Sequence, residues 1–170
     1  MTELEFKSLA DQGYNRIPII AEALADLETP LSLYLKLAQS QTRGVNTFLL
    51  ESVVGGERFG RYSFIGLAAD TRIEVRGDEI AEIERGRPAR RSRTRDPLQF
   101  IRDYQARFKA AAQPGLPRFC GGLVGYFGYD TVRYIEHKLV GGAKADVLGV
   151  PDILLVLSEQ LDRKSTRLNS

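Results

Sequence analysis

The chain has one cysteine, Cys120, and one histidine, His137. A lone cysteine forms no internal disulfide, and neither residue has a partner at metal-ligand spacing. A Cys–His nucleophilic pair would require the two to meet in space. Cys120 falls in an apolar, strand-like segment and reads as a small buried side chain. His137 falls near the end of an expected helix, where terminal carbonyls are its natural partners. No window approaches the ~20 apolar residues of a membrane helix. The N-terminus, MTELEFKSLADQGYNR, is charged and has no apolar core of a secretory signal. Phosphate-binding patterns are missing as well. "GGLVGYFG" has neither the P-loop Gly-Lys-Ser/Thr ending nor dinucleotide glycine spacing ahead of a helix. Its glycines read instead as points where the backbone approaches another sheet. A cytoplasmic protein of 170 residues, long enough for one domain with its own core, is the expectation.

An excess of charge is also missing once the C-terminus is set aside. "DRKSTRLNS", residues 162–170, reads as the in-frame translation of a common DNA-sequencing adapter, with the native reading ending at about Leu161. The whole chain has 24 basic and 22 acidic residues; taking away the three basic and one acidic residue of this stretch leaves 21 of each. The formal charge of +2 is then no argument for a nucleic-acid partner. On this reading residues 1–161 are one domain of a truncated chain, and any chemistry of the missing part is lost with it.

What is present alternates between strand and helix signals. Ile17–Ala23 is a short apolar run interrupted by Pro18, which suits an edge strand. Thr29 and Pro30 open a helix expected over 30–41, with Leu31, Tyr34, Leu35 and Leu37 on its apolar side. Asn46–Val54 and Arg61–Leu67 read as strands around a glycine-rich turn. "TRIEVRGDEIAEIERG" alternates Ile73, Val75, Ile80 and Ile83 with charges around a Gly-Asp turn, the pattern of a hairpin with one solvated face. Arg85–Arg95 is a basic run without interleaved aromatics and reads as a solvated loop. Asp96-Pro97 starts a helix expected to reach about Ala112. Cys120–Phe127 reads as a buried, glycine-interrupted strand, "DTVRYIEHKL" as a helix capped by Asp130, and "PDILLVLSEQ" as a final buried strand lacking its hairpin partner. Truncation there is expected to expose a sheet edge near Ile153–Leu157. The sum is an α+β domain.

One feature resists this scheme. In "FLLESVV", Glu51 and Ser52 interrupt an apolar run. A buried carboxylate requires a cation or several donors. A zwitterionic amino acid offers an ammonium to Glu51 and a carboxylate to a hydroxyl; Arg58 or Arg61 offers Glu51 an internal ion pair instead.

"TPLSLYLKL", "FLLESVVGGERFGRYSFIG", "GGLVGYFGYDTVRYIE" and "LGVPDILLVLSE" occur in this order, and the chain resembles the N-terminal region of anthranilate synthase component I, of the chorismate-utilising enzyme family, over about Phe6–Gln160. "GYFGYD" is shared with the wider family, including aminodeoxychorismate synthase of folate synthesis, which is the alternative; a free-standing amino-acid-binding module is the non-enzymatic one. The resemblance implies the N-terminal portion of a layered α/β sandwich, with mainly antiparallel sheets covered by helices. It implies a tryptophan feedback site here, and a C-terminal part, outside this chain, that holds chorismate and Mg²⁺. The parent enzyme is then a lyase of tryptophan biosynthesis, making anthranilate and pyruvate from chorismate with ammonia from a glutamine amidotransferase partner. The fragment by itself is expected to be inactive, with no catalytic or metal residue of its own. "LLES" implies tryptophan contacts at Leu50, Glu51 and Ser52, and "GRYS", on the facing strand, adds Arg61, Tyr62 and Ser63.

Overall fold

The computed structural model describes residues 1–39, 46–51, 62–136, 138–139 and 146–165. In chain order the elements are α1 (Glu3–Asp11), α2 (Pro30–Gln39), β1 (Asn46–Leu50), β2 (Tyr62–Ala69), β3 (Thr71–Arg76), β4 (Glu79–Glu84), β5 (Arg87–Arg93), α3 (Pro97–Ala106), β6 (Gly122–Phe127), a 3₁₀ helix (Tyr129–Tyr134), β7 (Ile153–Ser158) and β8 (Leu161–Ser165). The strands form two sheets, one ordered β1-β2-β8 and the other β5-β4-β3-β7-β6, and all their pairings are antiparallel. Helices over two antiparallel sheets make this an α+β fold, as the sequence implies.

The β3–β4 hairpin is the best-specified part. Period-two alternation places Ile73, Val75 and Ile80 on one face, each at most 1% exposed. Ile153 and Leu155 of β7 extend that face, and Ile101 and Tyr104 of α3 close over it. The turn is Gly77-Asp78, with Gly77 at φ +58°. A polar clasp fastens it. Asp152 Oδ2 accepts from the Gly77 amide at 2.7 Å, and the Tyr134 hydroxyl lies 2.8 Å from the same oxygen and 2.9 Å from the Gly77 carbonyl. Burial, then the Asp152 carboxylate, pushes the Tyr134 phenol well above its ordinary pKa. Tyr134→Phe should therefore lower stability by about 1–2 kcal/mol, read from urea melts, because a charge-assisted bond is lost while the ring remains.

Several expectations are corrected. Residues 17–23 form no strand: Pro18 has no N–H, its carbonyl accepts from Gln113 Nε2 at 3.0 Å, and the ladder contact nearby among the described residues is a single bridge between Arg16 and Ala110. Helix α2 ends at Gln39 in the described chain, and Thr29 Oγ1 does accept from the Ser32 amide at its start. Helix α1, unforeseen, carries a capping box between Thr2 and Glu5 but buries none of its residues. The basic run is largely a strand, β5, whose arginines reach back to β4: Arg93 pairs with Glu79, and Arg90 lies 3.9 Å from Glu82. It is nevertheless solvated, as expected.

Helix α3 starts as expected, with Asp96 Oδ1 accepting from the Gln99 amide, but stops at Ala106. Asn15 ends it from 92 residues away, donating to the Arg107 carbonyl and accepting from the Lys109 amide, both at 2.7 Å. Cys120 is exposed and precedes β6, and β6 is itself half-exposed rather than buried. A 3₁₀ helix replaces the expected α-helix; Asp130 pairs with Arg133, and the N-cap position falls on Gly128 without a side-chain cap. His137 lies outside the described residues. Strand β7 is buried as expected, but it sits between β3 and β6, so Ile153–Leu157 is not a sheet edge. The chain then crosses to the other sheet, where β8, which apart from Leu161 lies within the stretch read above as adapter, pairs with β2.

Candidate functional site

The candidate residues cluster where β1 ends and β2 begins. Their register sets Leu49 opposite Ile65 and Leu50 opposite Phe64; carried one residue past β1, it sets Glu51 opposite Ser63. Side chains alternate along each strand, so Tyr62 and Phe64 share the face of Leu50, whereas Ser63 shares the face of Ile65. The expected set is thus divided between two faces. Ser52, Arg58 and Arg61 lie outside the described residues, and with them the proposed ion pairs of Glu51.

The Leu50 face is aromatic and open. Leu50 is 48% exposed, and Phe48, Tyr62 and Phe64 are each half-buried. The Phe48 ring lies directly on the backbone of β2 at Gly66, where a Cβ would come within 2.0 Å of its Cε1. Phe64 meets Phe119 edge-on, with ring centroids 5.5 Å apart. The Arg163 guanidinium covers the Tyr62 ring at 4.5 Å from its centroid. Such a face can hold a flat aromatic ligand by stacking and edge contacts. Phe48, Phe64 and Phe119 were not among the sequence candidates; the signal for Phe64 was the alternation Tyr62, Phe64, Gly66 within "RYSFIG".

The opposite face is closed. Ser63 is 1% exposed and Ile65 fully buried. Across from them on β8 are Lys164 and Asp162. Lys164 Nζ donates to the Ala25 carbonyl at 2.7 Å. One oxygen of Asp162 is buried without a hydrogen-bond partner. Burial raises its carboxyl pKa, against the opposing pull of Lys164. Ser63 is therefore a packing residue beneath β2 in this arrangement. Glu51, by contrast, is exposed. The premise of a buried carboxylate fails here, since water can satisfy it.

Among the described residues no group of three or more His, Cys, Asp or Glu could hold a metal ion. The described residues do not fit a Mg²⁺ site, and no chemical step is assigned to one. No helix among the described residues is long and apolar enough to cross a membrane.

The fold is a two-sheet α+β unit with helices packed on it, and the Leu50 face of its smaller sheet carries half-buried aromatic rings. No family model matches the chain. Over 159 residues, 94% of its length, it is 52% identical to anthranilate synthase component 1 of Pseudomonas putida, of which it covers 31%. It is 51% identical over 164 residues to that of Neisseria meningitidis serogroup B (95% of this chain, 32% of that protein), and 44% identical over 149 residues to that of Aquifex aeolicus (87% and 29%). A crystal structure of anthranilate synthase component I from Streptococcus pneumoniae TIGR4 aligns with a TM-score of 0.48 and 23% identity, over 87% of this chain and 30% of that one. Over the stretch it covers, the chain is similar in sequence to anthranilate synthase component 1. It spans about a third of the length of these relatives.

Proposed function

We propose that this chain is the N-terminal, regulatory part of the large subunit of an anthranilate synthase, a lyase of tryptophan biosynthesis. The observation that carries the reading is 52% identity sustained over 94% of the chain. The complete subunit would convert chorismate, with ammonia released by a glutamine amidotransferase partner, to anthranilate and pyruvate in the cytoplasm. Chorismate and Mg²⁺ would be held by the part outside this chain.

The role proposed for these residues is to bind tryptophan as a feedback effector. The aromatic face of Leu50, Tyr62 and Phe64 would take the indole, and Ser52 with adjoining backbone groups the amino-acid head. Inhibition follows if tryptophan prefers one of two conformations of the whole subunit, the one with poorer chorismate use. The test is to assay the complete subunit with chorismate, ammonium and Mg²⁺, following anthranilate by its fluorescence. Anthranilate that forms, and declines on adding tryptophan, is the expected result. Aminodeoxychorismate as the product would overturn the reading.

A further inference from the structure

Gly66 is a glycine that its backbone does not require. Its φ lies outside the left-handed range, unlike that of Gly122 at +125°. What requires it is space. A Cβ at this position would fall 2.0, 2.3 and 2.4 Å from Cε1, Cζ and Cδ1 of Phe48, its partner across the β1–β2 ladder. The Phe48 ring occupies the place of the missing side chain, much as an aromatic neighbour covers a strand glycine in designed sheets. The ladder is also irregular here. Two steps along β1, from Asn46 to Phe48, match three along β2, from Ala69 to Gly66. A bulge of this kind re-aims a side chain. Asn46 Nδ2 closes it by donating to the Ala69 carbonyl at 3.3 Å. Along β1 the apolar face thus runs from Leu50 to Phe48 and stops short of Asn46.

We propose that Phe48 is the end wall of the effector site on this face, and that Gly66 is the residue that positions it. The proposal rests on the reading of Leu50, Tyr62 and Phe64 as the seat of the indole; it adds what bounds that seat at the β1 end. With glycine at 66 the wall is drawn down against β2, and the face has its full length. A methyl group at 66 would fall within the ring's own volume, so the ring must rotate away from the backbone. A side chain can do so while the β1–β2 ladder stays in place. Away from β2 lies the space over the face, so the displaced ring intrudes on the room above Leu50 and Phe64. Removing the ring acts differently: the room is kept, and the ligand loses an aromatic partner. Phe48 and Gly66 then work as one unit, and their substitutions should be strongly non-additive.

Three variants of the full-length subunit test this: Gly66→Ala, Phe48→Leu and the two together, each assayed with chorismate, ammonium and Mg²⁺ over a range of tryptophan. Gly66→Ala should raise half-inhibitory tryptophan about tenfold, with kcat/KM for chorismate within about twofold of wild type. Phe48→Leu introduces no clash and should raise it about fivefold. The double variant should match Phe48→Leu alone, because without the ring a methyl group at 66 has nothing to displace. Additive effects, or single variants as sensitive to tryptophan as wild type, would overturn the proposal. A purely structural role for the pair would lower the urea midpoint and leave half-inhibition unmoved, which also overturns it. Where Gly66→Ala alone does not fold, Phe48→Leu decides: weakened inhibition in that variant, with a double variant that folds, supports the proposal, and unweakened inhibition removes Phe48 from the site. A wild-type subunit insensitive to tryptophan removes the functional reading and this inference with it; a sensitive wild type with silent or additive variants removes this inference alone.

Discussion

Gly125→Ala should destabilise the protein by about 3 kcal/mol, lowering its urea midpoint by roughly 1–2 M. Gly125 lies opposite Leu155 in the β6–β7 ladder. A Cβ built there falls 1.9 Å from the Leu154 carbonyl oxygen and 3.0 Å from the Leu155 Cα. Both are backbone atoms of β7, which is held on its other side by β3. A flexible side chain could swing away; a central strand cannot move without disturbing the buried Ile153 and Leu155. Relief must therefore come from β6 itself, through loss of its pairing. Gly122 is the control on the same strand, since a Cβ there meets nothing within 4 Å. Its φ of +125° still makes substitution costly, but by strain of about 1 kcal/mol rather than by collision. A Gly125→Ala variant within 0.5 kcal/mol of wild type would show that β6 does not pack as described.

That contrast also marks what a sequence conveys. "GGLVGYFG" signals a close backbone approach, and there is one, but to the neighbouring strand of the same sheet rather than to another sheet. The β3–β4 hairpin was legible because alternation, a Gly-Asp turn and β-branched residues agree. Strand β5 was not, because "RPARRSR" has no apolar period; it is a strand only because β4 offers it a ladder. The end of α3 was hidden because Asn15 ends it from 92 residues away. At the candidate site, alternation could have separated Tyr62 from Ser63. Word-level likeness groups them instead, and the structure places them on opposite faces. Glu51 was misjudged for a different reason. An apolar run around a residue raises the expectation of burial, but burial depends on what covers the segment, and in this chain Leu50 and Glu51 are exposed.

Exposure at Leu50 bears on the second large effect, which concerns the proposed regulation. In the complete subunit, Ser52→Phe should raise the tryptophan concentration for half-inhibition at least tenfold, about 1.4 kcal/mol of effector binding, while kcat/KM for chorismate stays within twofold. The expectation rests on the division of labour proposed above. An aromatic side chain at position 52 would remove the hydroxyl proposed for the amino-acid head, and its bulk would compete with the effector. None of these groups is assigned to chorismate, so catalysis should persist. Thermodynamic linkage adds a second reading of the same coupling. If tryptophan lowers the affinity for chorismate by some factor, chorismate must lower the affinity for tryptophan by that factor, and calorimetry in both directions should agree. The 170-residue chain contains no tryptophan of its own, so the fluorescence of added tryptophan reports binding to it directly. Binding should be much weaker than in the complete subunit, because the aromatic face is open on the side away from β2. A Ser52→Phe subunit with undiminished tryptophan sensitivity would remove Ser52 from the effector site. Unweakened binding by the short chain would show instead that the site is complete without the remainder of the protein.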